Sequence, residues 1–198
     1  MSLNKSLALT NHLLIINFLI IISLNFFTPV WADFVKSIGG NLQTAGNAIA
    51  LFSIVLGFFT WLMAKIENQL NQDRFFMIFS QLLFVIGYAG FFWVTTPLKL
   101  YLVQICLGVA GALQVPVLYA LYQEHIPHNQ STWYWGLWNG LYNLALGMGA
   151  FISAFLVYHY GFKAMFSLLV TLNIIALILV IYVMQKIRRS KYRATKSN

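Results

Sequence analysis

The sequence predicts an all-α integral membrane protein that crosses the bilayer six times. Of its 198 residues, 60% are hydrophobic and only 8% charged. Soluble domains carry roughly a quarter charged residues, so this chain lacks the polar surface to cover a core in water. Six stretches contain no Asp, Glu, Lys or Arg: 13–31, 45–63, 75–94, 100–122, 133–158 and 164–184. Each holds 19 to 26 residues, and about 20 residues at 1.5 Å rise cross the hydrocarbon core. The runs do not alternate as transmembrane strands do, and a helix satisfies its own backbone groups inside lipid.

The first span, 13–31, carries Asn17, Asn25 and Thr28, which fall within about 80° of one another at 100° per residue and form one polar stripe. Pro29 near its end is expected to bend or locally open the helix, as is Pro116 in the fourth span. Lys5, the apolar run and Val30-Trp31-Ala32 before Asp33 also have the outline of a secretory signal, but the run exceeds the roughly 7 to 15 residues of a signal core. The loop after the second span holds Lys65, Glu67, Asn68, Asp73 and Arg74. The fourth span carries Gln104 and the small residues Gly108, Gly111 and Ala112. The fifth opens on Trp133, Tyr134, Trp135 and Trp138, expected at the headgroup level or, alternatively, as a stacking platform for a ring-shaped solute. It continues with Asn139 and Asn143, and with Gly136, Gly140 and Gly147 at helical spacing, which would let helices approach closely.

Charge sets the orientation. The formal net charge of +8 would suit a nucleic-acid binder, but six of the twelve basic residues fall in the last thirteen positions. The chain therefore divides into an N-terminal segment 1–12, a six-helix domain 13–186 and a basic tail 187–198, with membrane lipid rather than nucleic acid as the partner of the tail. Nine basic residues lie on the side shared by the two ends and three, Lys36, Lys99 and Lys163, on the other. The positive-inside rule thus places both termini in the cytoplasm of a cell (inner) membrane protein. The last thirteen positions supply six of the nine, and the rest divide three against three.

A shift of 87 residues aligns Pro29 and Val30 with Pro116 and Val117, Phe75 with Phe162, Phe79 with Phe166, Ser80 with Ser167 and Leu82 with Leu169. Three helices per copy make the two copies face opposite ways across the membrane. With this repeat, the stretch 29–63, the run LVQICLGVAGALQVPVLYALY and the segment YHYGFKAMF, the chain resembles one six-helix half of a major facilitator superfamily transporter, whose halves contain inverted 3+3 repeats. The resemblance covers about residues 13–186. Several positions depart from the family pattern. Ala64 and Asn68 stand at the glycine and aspartate positions of the loop between helices two and three. Gln104 stands where proton-coupled members place arginine, and no proline follows Gly140, Gly147 or Gly149 in the fifth helix. Proton coupling and drug export both lose support.

The resemblance implies membrane transport of a small solute by alternating access with a second six-helix bundle, either another copy of this chain or a different half. The alternative is a non-transporting remnant or accessory that packs against a partner. Asn25, Thr28, Gln104, Asn139 and Asn143 are the candidate lining of a substrate cavity, although Asn and Gln also serve as interhelical glue. Lys65, Glu67, Asn68, Asp73 and Arg74 are the candidate gating loop. No charged residue lies mid-membrane, where ionisable groups mark ion pathways, which favours a neutral solute or an energised partner. An enzymatic reading finds no support: His12, His125, His128 and His159 stand in loops or near helix ends, no carboxylate pair lies at membrane depth, and Cys106 is alone. No metal or cofactor is expected.

Overall fold

A computed structural model describes residues 3–70 and 72–196, with side chains for 7–67, 69–70, 72–127 and 129–189. The chain forms α1 (Leu3–Asn25), a short α2 (Trp31–Ser37), α3 (Leu42–Leu70), α4 (Asp73–Gly90), α5 (Pro97–His125), α6 (Ser131–Tyr160) and α7 (Phe162–Lys196). Among the described residues, six of these helices are long and apolar enough to cross a membrane, and α2 is not.

Local chemistry sets the boundaries. Pro97 occupies the first turn of α5 after an extended Thr96, where its missing N–H costs nothing. Asn41 caps α3: its side-chain oxygen accepts from the Thr44 N–H at 2.9 Å, and the Thr44 hydroxyl accepts from the Asn41 N–H at 3.3 Å. Gly161, with φ +77°, is the whole connection between α6 and α7. Three boundaries differ from the sequence expectation. The first span lies at Leu7–Asn25 rather than 13–31. The helix stops before Thr28 because a following proline disfavours the α conformation, and Pro29 lies in a turn over 26–30 instead of bending a helix. At the other end Leu9 and Thr10 are buried, and the Thr10 hydroxyl donates to the His125 carbonyl at 3.0 Å, so residues taken for an N-terminal segment belong to the bundle. Likewise α7 continues as helix through 187–196, the segment expected as a tail. Pro116 sits inside α5, which carries on past it.

The helices pack in two layers. A front row runs α3, α5, α1, α6, each touching the next, while α4 lies behind α5, α7 behind α1, and α4 and α7 meet. Exchanging α1 with α5, α3 with α6 and α4 with α7 reproduces these contacts, which is the inverted 3+3 arrangement of a major facilitator half. Close approach in the front row depends on glycine. A Cβ on Gly108 of α5 would stand 3.0 Å from the Phe52 carbonyl oxygen of α3, and one on Gly149 of α6 would stand 2.7 Å from that of Ile22 in α1.

Two apolar clusters fill the bundle. One gathers Leu9, Leu13, Met77, Leu121, Tyr122 and Val183. The other is aromatic, with Phe26, Phe34, Phe84, Phe91 and Phe166. Between them lies a buried polar band. Ser23 of α1 accepts from the Asn173 amide of α7 at 3.1 Å, the Gln81 amide of α4 donates to Asn173 Oδ1 at 3.2 Å, and the Gln114 amide of α5 donates to Gln81 Oε1 at 2.9 Å. This chain of bonds reads the same from either end once the halves are exchanged. Ser23 and Gln114 are 91 residues apart, and Gln81 and Asn173 92. The 87-residue shift suggested by the sequence thus falls about one helical turn short. Its proline pair is not equivalent in space, since Pro29 stands in a turn and Pro116 within a helix.

Candidate functional site

The seam between α1, α3 and α5 holds two adjoining cavities. The outer one, about 300 Å³, is walled by Leu24, Phe27, Ile49, Phe52, Phe91 and Leu107 and carries the polar side chains of Thr28 and Gln104. Trp31 and Tyr88 complete the lining. Tyr88 is 2% exposed, and its hydroxyl has no hydrogen-bond partner among the described residues. Gln104 is buried at the front of α5, one turn from Gly108, where α3 comes closest to α5. The pocket thus combines an apolar and aromatic wall with three uncharged polar groups, and among the described residues no charged side chain lines it. Its size and composition lie at the lower end of small-molecule sites.

Deeper along the seam is a smaller cavity of about 70 Å³, lined among others by Asn17, Ile20, Gly111, Gln114 and Leu118. Leu24 and Phe52 line both cavities and form the partition between them. Asn17 and Gln114 are 3% and 2% exposed, and Asn17 Nδ2 and Gln114 Oε1 find no partner among the described residues. An unsatisfied donor and acceptor therefore line one small space, although buried amides are normally paired. Gln114 also ends the polar band through its bond to Gln81, so the inner cavity touches the bundle's central network.

The five residues proposed from sequence do not all meet. Thr28 and Gln104 share the outer pocket. Asn25, half-buried at the end of α1, donates to the Ile21 carbonyl at 2.8 Å and accepts from the Thr28 hydroxyl at 3.4 Å, and it stands against Gly149 of α6. Asn139 and Asn143 donate to the carbonyls one turn back, Trp135 at 3.0 Å and Asn139 at 2.8 Å, on an exposed face of α6 away from the pocket. The stripe of Asn17, Asn25 and Thr28 divides for a local reason. Thr28 lies past the end of α1, while Asn17 and Asn25 turn toward α5 and α6 respectively. The cavity-lining residues that the sequence did not single out include Gln114, Tyr88 and Phe52, and Asn17 entered only as part of the polar stripe. A polar residue in an uncharged run was the available signal for Gln114, which lies ten positions beyond Gln104.

The candidate gating residues stand at the end of α3 and the start of α4. Lys65 is exposed near the end of α3, and Arg74 lies with Arg188 and Arg189 of α7. Glu67 and Asp73 each engage a neighbour. The side chain of Asn68 lies outside the described residues. The tryptophans expected at the headgroup level are mostly a packed knot joining α5 to α6. Trp138 is 3% exposed against Tyr122, with ring centroids 4.5 Å apart, and Trp135 donates to Gln123 Oε1 at 3.0 Å. Trp133 alone of the four is more than half exposed. The small residues behave in two ways: Gly108, Gly111 and Gly149 pack against neighbouring helices, whereas a Cβ on Gly136, Gly140 or Gly147 would meet nothing within 4 Å.

Comparison with known proteins agrees with this architecture. The family model described as Major Facilitator Superfamily matches residues 13–197. An uncharacterized MFS-type transporter of Methanocaldococcus jannaschii is 22% identical over 165 residues, 83% of this chain and 42% of that protein. The chain thus spans less than half the length of this curated relative. The family is one of membrane transporters rather than enzymes, and a family match over nearly the whole sequence joins the six membrane helices and their mirrored packing. The chain belongs to the Major Facilitator Superfamily.

Proposed function

We propose that the chain is one half of a solute transporter that works by alternating access against a second six-helix bundle. The observation that carries this reading is the pair of cavities along the seam of α1, α3 and α5, with Thr28, Gln104 and Tyr88 in the outer one, Asn17 and Gln114 in the inner one, and Leu24 and Phe52 between them. The charge-free lining suits a small neutral solute with an apolar body and one or two hydrogen-bonding groups. Both ends of the chain are placed in the cytoplasm on the charge asymmetry.

A second bundle is supported by what the front row leaves uncovered. None of the apolar window of α3 is buried and only 17% of that of α6, against 56% for α5. On α3, Gly46, Ala50, Ser53 and Gly57 are exposed at helical spacing, and on α6 so are Gly136, Gly140, Asn143 and Gly147. The two stripes correspond at a shift of 90 residues. Small residues of this kind let a neighbouring backbone approach, and these have no such neighbour within the described chain. Parallel halves related by an axis along the membrane normal would cover both stripes and face the two seams toward each other.

Uptake of a panel of radiolabelled neutral solutes into proteoliposomes, made with the chain and any copurifying partner, tests the proposal. Uptake of at least one solute that Gln104→Leu abolishes, in a protein of unchanged stability, is the expected result. Absence of uptake for every solute, with the chain strictly monomeric in native lipid, would replace this reading with a non-transporting accessory or remnant.

A further inference from the structure

At the Arg-rich end of the bundle, α4 and α7 line a groove of about 840 Å³ in the back layer, away from the α1–α3–α5 seam. Its floor is apolar: Ile78, Phe79 and Leu82 of α4 face Met184 and Ile187 of α7. Phe75 and Phe79 stack nearly parallel, 8° apart with centroids at 5.4 Å, and are 57% and 40% exposed. A second hollow adjoins it, lined by Arg74, Gln185, Arg188 and Arg189. Arg74 and Arg188 belong to both spaces, so the arginine-lined hollow and the apolar groove share a border. Asp73 is at the same rim but has an interaction of its own, and among the described residues the hollow is lined by three cations and one amide, with no carboxylate.

Three like charges brought together repel one another unless an anion lies among them, and exposed aromatic rings beneath them call for an apolar occupant in the same place. We propose that this groove is a binding site for an anionic glycerophospholipid, its phosphate held by Arg74, Arg188 and Arg189 and an acyl chain laid along Phe75, Phe79 and Leu82. Arginine suits the phosphate because its planar fork donates two parallel hydrogen bonds. Basic pockets between transmembrane helices that receive lipid headgroups follow the same physics. A free phosphate ion would satisfy the arginines but leave the groove unused, whereas a lipid meets both requirements at the depth where headgroup and chain join. The site lies on the back layer, so it is independent of the transport proposal.

The test is lipid retention by the full chain, extracted from vesicles of mixed phosphatidylglycerol and phosphatidylcholine and measured by native mass spectrometry. Wild type should retain phosphatidylglycerol in preference to phosphatidylcholine. Each of Arg74→Gln, Arg188→Gln and Arg189→Gln should lower that retention about fivefold, since a basic residue near an anionic surface contributes about 1 kcal/mol and 1.4 kcal/mol is tenfold. Phe79→Ala should lower it as well. Lys186→Gln removes the same charge from a side chain placed over the Tyr182 ring and should leave retention within twofold. Equal loss in Lys186→Gln would reduce the effect to general basic charge and overturn the site. Full displacement of the lipid by inorganic phosphate, with Phe79→Ala unchanged, would make it a plain anion site and overturn the lipid assignment. Unchanged retention in the arginine variants would overturn it outright.

Discussion

Gln81 and Asn173 are joined side chain to side chain at 3.2 Å, tying α4 to α7 midway between the two apolar clusters. Replacing Gln81 with Leu removes this bond and the one accepted from Gln114, and leaves buried amide groups without partners. Interhelical hydrogen bonds in membranes average about 0.6 kcal/mol, and a stranded buried polar group costs about 1–3 kcal/mol. Gln81→Leu should therefore destabilise the bundle by about 2 kcal/mol, measured by denaturant unfolding in bicelles. In a cycle with Asn173→Leu, the combined loss should fall short of the sum. Strict additivity would show that the two amides act independently.

The glycines of α6 should separate cleanly. Gly149→Ala puts a methyl group 2.7 Å from the Ile22 carbonyl oxygen, a contact with backbone that cannot swing aside, and should destabilise by about 1–3 kcal/mol. Gly147→Ala meets nothing within 4 Å and should be neutral or stabilising by up to about 1 kcal/mol, from helix propensity alone. Equal effects of the two, measured by the same unfolding assay, would contradict the packing of α1 on α6.

Gly140→Leu should leave the bundle as stable as wild type, because its surroundings within the chain are open. In native membranes it should lower cross-linking through α3 and α6, since a large side chain blocks close helix approach. Cysteines on the back layer, at Ile86 and Ile178, both exposed, serve as lipid-face controls. Undiminished cross-linking in Gly140→Leu would remove the stripe on α6 from the pairing surface.

Accessibility probes the pocket directly. In a Cys106→Ala background, cysteine at Thr28 or Gln104 should react with a small polar thiol reagent, and cysteine at Ile20 or Leu83 should react far less. Asn25→Cys should label more slowly than Thr28→Cys, because Asn25 is half-buried against α6 while Thr28 is exposed. Phe52→Ala removes one side of the partition and should raise labelling of a cysteine at Asn17. If Thr28 and Gln104 stay as unreactive as Ile20, the pocket is closed to water.

The sequence made the membrane fold legible because lipid leaves the backbone one economical solution, and uncharged length reports it directly. Its helix ends were less legible. His12 falls in the segment 1–12 expected to precede the first span, yet its ring bonds to the Ala8 carbonyl and the helix runs on around it. Thr28 and Gln104 stand out because a polar residue is conspicuous in an apolar run, and the two line one pocket. Asn139 and Asn143 were equally conspicuous, and the structure turns them outward. What decides between pocket and surface is the rotation of each helix against its neighbours, set by contacts such as Gly108 with Phe52 and Gly149 with Ile22, which are pairings between distant segments. The repeat was visible for the same reason that its register was not: similar apolar residues recur at many shifts, and only the bonded series from Ser23 to Gln114 fixes the spacing.

That spacing bears on how the chain threads itself into a bilayer. A three-helix unit duplicated in tandem must enter once each way up, so each copy has to tolerate both directions of insertion, and a unit with strongly lopsided charge would not. The present chain retains this indifference: apart from 186–198, its six cations fall three to each side. The arginines and lysines at the C-terminal end therefore cast the deciding vote. A chain terminated after Met184 should insert both ways in comparable amounts, and a reporter fused to its end should be found on both faces of the membrane.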